Sequence, residues 1–79
     1  MSIEGELKSR IEKARARYGD FASTHEALGV ALEEWEELKD AVRANAPSSV
    51  YEECLDLAAV LIRLAESLDN EAVRLRSVK

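Results

Sequence analysis

The pattern of apolar and polar positions along the chain predicts three helices and gives no sign of a strand. In three segments, apolar residues recur every three to four positions, which is the spacing of one helix face. The first predicted helix covers roughly residues 3–18. It ends before Gly19, a residue type that is favoured just past a helix C-terminus. Its apolar positions are Ile3, Leu7, Ile11, Ala14 and Tyr18.

The second predicted helix begins at Ser23 and runs to about Ala44. Ser23 and Glu26 have the spacing of a capping box, in which two side chains bond to backbone amides of the first turn. Residues 45–47 end this helix, because proline disfavours the helical conformation in the residue before it. Its main apolar arc is predicted to consist of Leu28, Ala31, Leu32, Trp35, Leu38 and Val42, with Trp35 packed in the core.

The third predicted helix opens with a second capping box, Ser49 to Glu52, and extends as far as Val78. Its apolar face comprises Leu55, Leu57, Ala58, Val60, Leu61, Ile62, Leu64, Ala65, Leu68 and Leu75. This face is too wide for one partner helix, and a chain of 79 residues has few helices to cover it. The pattern therefore predicts one all-α domain over residues 1–79, a three-helix antiparallel chain that assembles into a helical bundle as a homodimer or homotetramer.

Composition narrows the class of partner. The formal net charge of −5 argues against nucleic acid or an anionic membrane as the main partner. No apolar stretch approaches the ~20 residues of a membrane span, and the first residues do not resemble a signal peptide. Cys54 is the single cysteine, which excludes an internal disulfide and suits a reducing compartment. We expect a cytoplasmic protein in which Cys54 is a small core residue.

Two pairs of acidic residues carry the candidate chemistry. Glu34 and Glu37 lie three residues apart on the second predicted helix, as do Glu53 and Asp56 on the third, so each pair shares a helix face beside apolar positions. A hairpin between these helices brings the pairs together, and four carboxylates cannot all remain ionised there without cations. Oxygen ligands of this kind suit Mg²⁺ or Mn²⁺. On this evidence alone, a solvated acidic surface is the alternative to a metal site.

These acids also lie in a recognisable sequence context. The segment Glu33 to Leu38 (EEWEEL), the fifteen residues between Glu37 and Glu53, and then Glu52 to Asp56 (EECLD) together resemble the signature of the all-α nucleoside triphosphate pyrophosphohydrolases, the MazG-like superfamily. The similarity covers roughly residues 25–68. It implies Mg²⁺-dependent cleavage between the α and β phosphates of a nucleotide, which gives a monophosphate and pyrophosphate. By motif position, the implied metal ligands are Glu34, Glu37, Glu53 and Asp56.

The remaining roles are less determined by the sequence. Glu33 or Glu36 is the candidate to orient or deprotonate the attacking water. Many members of the superfamily continue into a lysine- and asparagine-containing segment that binds phosphates, and nothing after Leu68 matches it. Phosphate contacts are therefore expected from Lys39 or Arg63, with Arg43 and Arg74 as further candidates. The basic residues of the first helix are further candidates for phosphate, with a solvated face as the alternative: Lys8, Arg10, Lys13, Arg15 and Arg17. Tyr18 and Phe21 are candidates for the walls of a base pocket, with packing in the core or turn as the alternative.

Two classes of function follow from these features. The first is a Mg²⁺-dependent nucleotide pyrophosphohydrolase. The alternative is a non-catalytic protein-interaction module that retains the MazG-like fold and uses the broad apolar face of the third helix. A nucleic-acid binder is disfavoured by the acidic net charge and by the absence of a recognisable motif.

Overall fold

A computed structural model of the protein describes the backbone of residues 2–78 and the side chains of residues 2–68. All regular secondary structure in that part of the chain is helical: α1 (Ile3–Tyr18), α2 (Thr24–Arg43) and α3 (Pro47–Val78). The all-α prediction and the bounds of the first helix are thereby confirmed. None of the described helices carries an apolar stretch of the length and purity that a membrane crossing requires.

The ends of α1 and the start of α2 are fixed by local signals in the sequence. Gly19 has a φ of 73°, a conformation that glycine adopts without steric cost, and its N–H donates to the carbonyl of Arg15 at 2.9 Å. Ser23 caps α2, its Oγ accepting from the N–H of Glu26 at 3.1 Å. The Glu26 carboxylate accepts in return from the N–H of Ala22 at 2.8 Å, one residue earlier than the predicted box requires. The capping residues therefore act as predicted, with a shifted second bond.

The start of α3 differs from the prediction. The helix begins at Pro47 and not after Ser49, so Ser49 lies inside the first turn and the predicted second capping box is wrong. Proline is well suited to this position, because its fixed φ is helical and its missing N–H would lack an intrahelical partner there. Asn45, with a φ of 54°, reverses the chain directly before it. The connection between α2 and α3 is consequently only three residues long, and the two helices run antiparallel.

α3 packs against both other helices. Four hydrogen-bonded side-chain pairs join α1 to α3: Glu6 with Tyr51, Arg10 with both Glu52 and Asp56, and Arg15 with Glu66. The partners advance along both helices in the same direction, so α1 and α3 are parallel. α2 runs in the opposite direction, which gives an up-down-up arrangement and places the acid-bearing turns of α2 and α3 side by side.

The buried positions of α2 are all small residues. Ala27, Ala31 and Ala41 are buried, whereas four larger apolar residues of the predicted main arc are about half exposed: Leu28 (55%), Leu32 (55%), Trp35 (47%) and Val42 (53%). We call these four residues the α2 stripe. The predicted core position of Trp35 is therefore wrong within this chain. Alanine lets two helix backbones approach closely. Because α2 packs on α3 through its alanines, the helix is rotated about its axis so that the sector of Glu34 and Glu37 turns towards α3.

The core of the chain lies where α3 meets its two neighbours. Its buried apolar residues outside α2 are Ile11, Leu55, Ala59 and Val60. Leu61 and Leu68 are 49% and 40% exposed, and Cys54 is exposed, so the prediction of Cys54 as a core residue is wrong. The predicted apolar residue Leu75 lies outside the described side chains. Within residues 2–68, α2 therefore exposes more apolar surface than the sequence predicted.

Candidate metal centre

Three of the four predicted ligands converge at the α2–α3 contact. Carboxylate oxygens of Glu34, Glu37 and Glu53 lie within 4.8 Å of one another. Glu34 and Glu37 are one turn apart on α2, and Glu53 is in the second turn of α3. The alanine-lined contact between the helices holds the backbones close enough for these side chains to meet.

The environment of these carboxylates is unfavourable to their negative charge. Glu34 Oε2 and Glu53 Oε2 are buried and have no hydrogen-bond partner among the described residues. Burial, followed by repulsion from Glu37 and Asp56, raises the pKa of Glu34 to about 7. Burial and the neighbouring Glu37 also raise the pKa of Glu53. A hard divalent cation fits this donor set, since all its ligand atoms are oxygens and its charge offsets the repulsion.

The fourth predicted ligand, Asp56, is bound by an arginine from α1. Arg10 Nη1 donates to Asp56 Oδ1 at 2.5 Å, and Arg10 Nη2 donates to Glu52. Asp56 is close enough to repel Glu34, but it lies outside the group of three carboxylates. Among the basic residues of α1, Arg10 is therefore the one that forms an ion pair with a predicted metal ligand.

Two other basic residues of α1, Arg15 and Arg17, form contacts away from the predicted metal ligands. Arg15 pairs with Glu66 further along α3, and Arg17 lies over the ring of Tyr18 at 5.3 Å. The sequence singled out the basic residues of α1 only as a set. Arg10 differs from the other basic residues of α1 in lying opposite the turn of α3 that carries Glu52 and Asp56. That position depends on the relative register of α1 and α3.

A cavity of about 620 Å³ lies between α1, the first half of α2 and α3, and of the three converging carboxylates Glu34 alone lines it. Glu33, Glu34 and Asp56 contribute its acidic part, and Tyr18 and Phe21 contribute aromatic surface. A volume of this size is within the range of small-molecule sites. Tyr18 and Phe21 therefore both line a cavity of that size.

Arg63, a predicted phosphate contact, also lines the cavity but is held by its own neighbours. It is 7% exposed, and its Nη2 donates to the carbonyl of Gly19 at 3.0 Å. Its guanidinium also lies over the ring of Phe21 at 4.3 Å. The side chain therefore ties α3 to the connection between α1 and α2.

Two of the predicted phosphate contacts, Lys39 and Arg43, do not line the cavity. Lys39 pairs with Glu36 on the surface of α2 at 3.2 Å, and neither residue is among those that line the cavity. Arg43 is exposed in the last turn of α2, and the side chain of Arg74 lies outside the described residues. Arg10 and Arg63 are therefore the predicted phosphate contacts that line the cavity.

The two candidates for the water-activating group are separated by the same geometry. Glu33 lines the cavity next to Glu34, whereas Glu36 is exposed and paired with Lys39. Glu33 is therefore the better placed of the two for chemistry in the cavity. The convergence of the carboxylates, their unpartnered oxygens and the adjoining cavity together define the candidate centre. Comparison of the chain with models of protein families, with curated proteins and with solved structures finds no match.

Proposed function

We propose that the protein is a Mg²⁺-dependent nucleotide pyrophosphohydrolase that cleaves between the α and β phosphates of a nucleoside triphosphate. The observation that carries this proposal is the convergence of Glu34, Glu37 and Glu53 beside a cavity of about 620 Å³. An all-acid site repels a triphosphate, so such a substrate binds there only through cations. The resemblance of residues 25–68 to the MazG-like signature supports the same reaction.

Glu34, Glu37, Glu53 and Asp56 would hold Mg²⁺, and Mn²⁺ suits the same oxygen donors. The ion would offset charge on the phosphates and lower the pKa of a bound water. Glu33 is assigned to orient that water or accept its proton. Tyr18 and Phe21 would provide apolar surface for the base. The single cysteine supports a cytoplasmic location, because a lone thiol suits a reducing compartment.

The proposed activity can be tested with a panel of nucleoside triphosphates. We expect pyrophosphate release from at least one of them in the presence of Mg²⁺ or Mn²⁺, and none with EDTA. A non-hydrolysable triphosphate with Mg²⁺ should raise Tm, because a ligand that binds only the folded state stabilises it. If no nucleotide is hydrolysed and none shifts Tm, the proposed function is wrong.

We also propose that the chain forms a homodimer or homotetramer, with the α2 stripe together with Leu61 and Leu68 at the interface. Apolar side chains at helical spacing on one face are typical of helix-to-helix association. Replacing Leu32 with lysine should place a charge in this interface and convert the assembly to monomers. Sedimentation equilibrium measures the change. Ala16→Lys, which adds the same charge to an exposed position of α1, should leave the assembly intact.

The α2 stripe also supports the second candidate function, a helical protein-interaction module without catalytic activity. Four half-exposed apolar residues on one helix form a surface that a partner helix can cover. This candidate predicts no hydrolysis of any nucleotide and no change in Tm with Mg²⁺ and nucleotide. The triphosphate panel therefore separates the two functions.

A further inference from the structure

Arg10 forms an ion pair with Asp56, one of the carboxylates of the proposed metal centre. Its guanidinium donates to both Asp56 and Glu52, and its side chain is 25% exposed. Both contacts are to carboxylates that are at least partly exposed, with side-chain accessibilities of 39% for Asp56 and 54% for Glu52. Arg10 also lines the cavity, as does Glu34. A cation therefore already lies on the fourth predicted ligand in this structure.

We propose that Arg10 competes with the divalent cation for Asp56 and, once displaced, binds the phosphates of the nucleotide. This inference rests on the proposed function, and it assigns the main phosphate contact to a residue of α1. In the metal-free protein, Arg10 offsets the negative charge of Asp56 and Glu52. A divalent cation on Asp56 repels the neighbouring guanidinium and weakens its bond to that carboxylate.

The released guanidinium has a new partner only when a nucleotide is present. Phosphates held through a cation at Asp56 would have Arg10 as a nearby partner, because its guanidinium already contacts Asp56. Arginine presents two parallel N–H donors, which match a phosphate as well as a carboxylate. The exchange of one anionic partner for another leaves the guanidinium paired in both states.

The other cations near the centre are less suited to this exchange. Arg63 is buried, bonded to the carbonyl of Gly19 and stacked on Phe21, so moving it would break the packing of α3. Lys39 lies with Glu36 on the surface of α2. Among the described cations, Arg10 alone combines direct contact with a predicted ligand and a place at the cavity wall.

The proposal predicts opposite changes in two affinities when Arg10 is replaced by glutamine. Affinity for Mn²⁺ without nucleotide, measured by electron paramagnetic resonance, should rise about tenfold, because a competing positive charge is removed. Affinity for an α,β-methylene triphosphate in saturating Mn²⁺, measured calorimetrically, should fall about tenfold or more, because a charge-assisted bond is lost. A residue with a purely structural role would lower both affinities.

Arg15→Gln is the matched control. It removes the same side chain from the same helix and breaks an ion pair between α1 and α3, with Glu66, away from the carboxylates. Both affinities should stay within about twofold of the wild-type values, as is usual for an exposed ion pair. Arg10→Lys keeps the charge but loses the paired donors, so Mn²⁺ affinity should be retained while triphosphate affinity falls.

The outcomes separate this proposal from the proposed function. If the wild-type protein binds neither Mn²⁺ nor the triphosphate, both are overturned. If the wild-type protein binds both ligands and Arg10→Gln leaves triphosphate affinity unchanged or lowers Mn²⁺ affinity, only the role of Arg10 is overturned. If Arg10→Gln loses its helical circular dichroism, Arg10→Lys decides the question, and unchanged triphosphate affinity in that variant contradicts the proposal.

Discussion

Replacing Glu37 with glutamine is expected to lower Mg²⁺-dependent pyrophosphate release by at least about a thousandfold, which corresponds to about 4 kcal/mol in activation free energy. Glu37 is exposed, and its carboxylate lies within 4.8 Å of those of Glu34 and Glu53. The substitution preserves the size of the side chain and removes one anionic ligand from the group. The helical circular dichroism should therefore be unchanged, while Mn²⁺ affinity falls together with activity.

Glu12→Gln is the control for this substitution. Glu12 is exposed on α1 and does not line the cavity beside the carboxylates, so the variant makes the same chemical change away from the centre. Its kcat and KM should match the wild-type values. Hydrolysis by Glu37→Gln at the wild-type rate would show that the reaction does not use this carboxylate, and the assignment of the metal centre would fail.

The sequence predicted the helices well because their ends depend on local interactions. Gly19 and Ser23 act within one turn of the helix ends that they define, so their residue types are sufficient evidence. In the sequence, Pro47 indicates the end of α2, but proline is also common at the first helical position. That second property accounts for the early start of α3.

The rotation of α2 could not be predicted from apolar periodicity. The larger residues Leu28 and Trp35 suggested the buried face, but packing against α3 selected the alanine face, where the backbones approach more closely. Intrinsic hydrophobicity ranks positions within one helix, whereas burial depends on which neighbour covers them. A surface that is apolar and uncovered within one chain is also the surface that an oligomer would bury.

The candidate centre was predictable where it depends on spacing along one helix, and not where it depends on how two helices pack. The spacing of Glu34, Glu37 and Glu53 fixes their helix faces, and the short connection after α2 brings those faces together. The contact between Arg10 and Asp56 joins residues 46 positions apart and depends on the parallel register of α1 and α3. No local pattern encodes that register, so the sequence identified the basic helix but not the arginine.

The metal-free protein is expected to lose stability as the pH rises from about 5 to about 8, and Glu34→Gln should remove most of that loss. The pKa of Glu34 is about 7 in the folded protein, compared with an ordinary value of 4.5. A group whose pKa is raised by folding binds its proton more tightly in the folded state. Its stabilising contribution is complete below pH 4.5 and is lost as the pH rises through the folded-state pKa of about 7.

The expected loss is about 1 to 2 kcal/mol after allowance for solvent screening, or about 5 to 10 °C in Tm. Thermal unfolding in EDTA across this range measures it, with Glu12→Gln as the control that should follow the wild-type curve. Saturating Mg²⁺ should reverse the trend in the wild-type protein, because the ion binds the deprotonated carboxylates and its affinity rises with pH. A wild-type Tm that is independent of both pH and Mg²⁺ would mean that the three carboxylates neither repel one another in the folded state nor hold a cation, and would contradict the proposed centre without reference to any substrate.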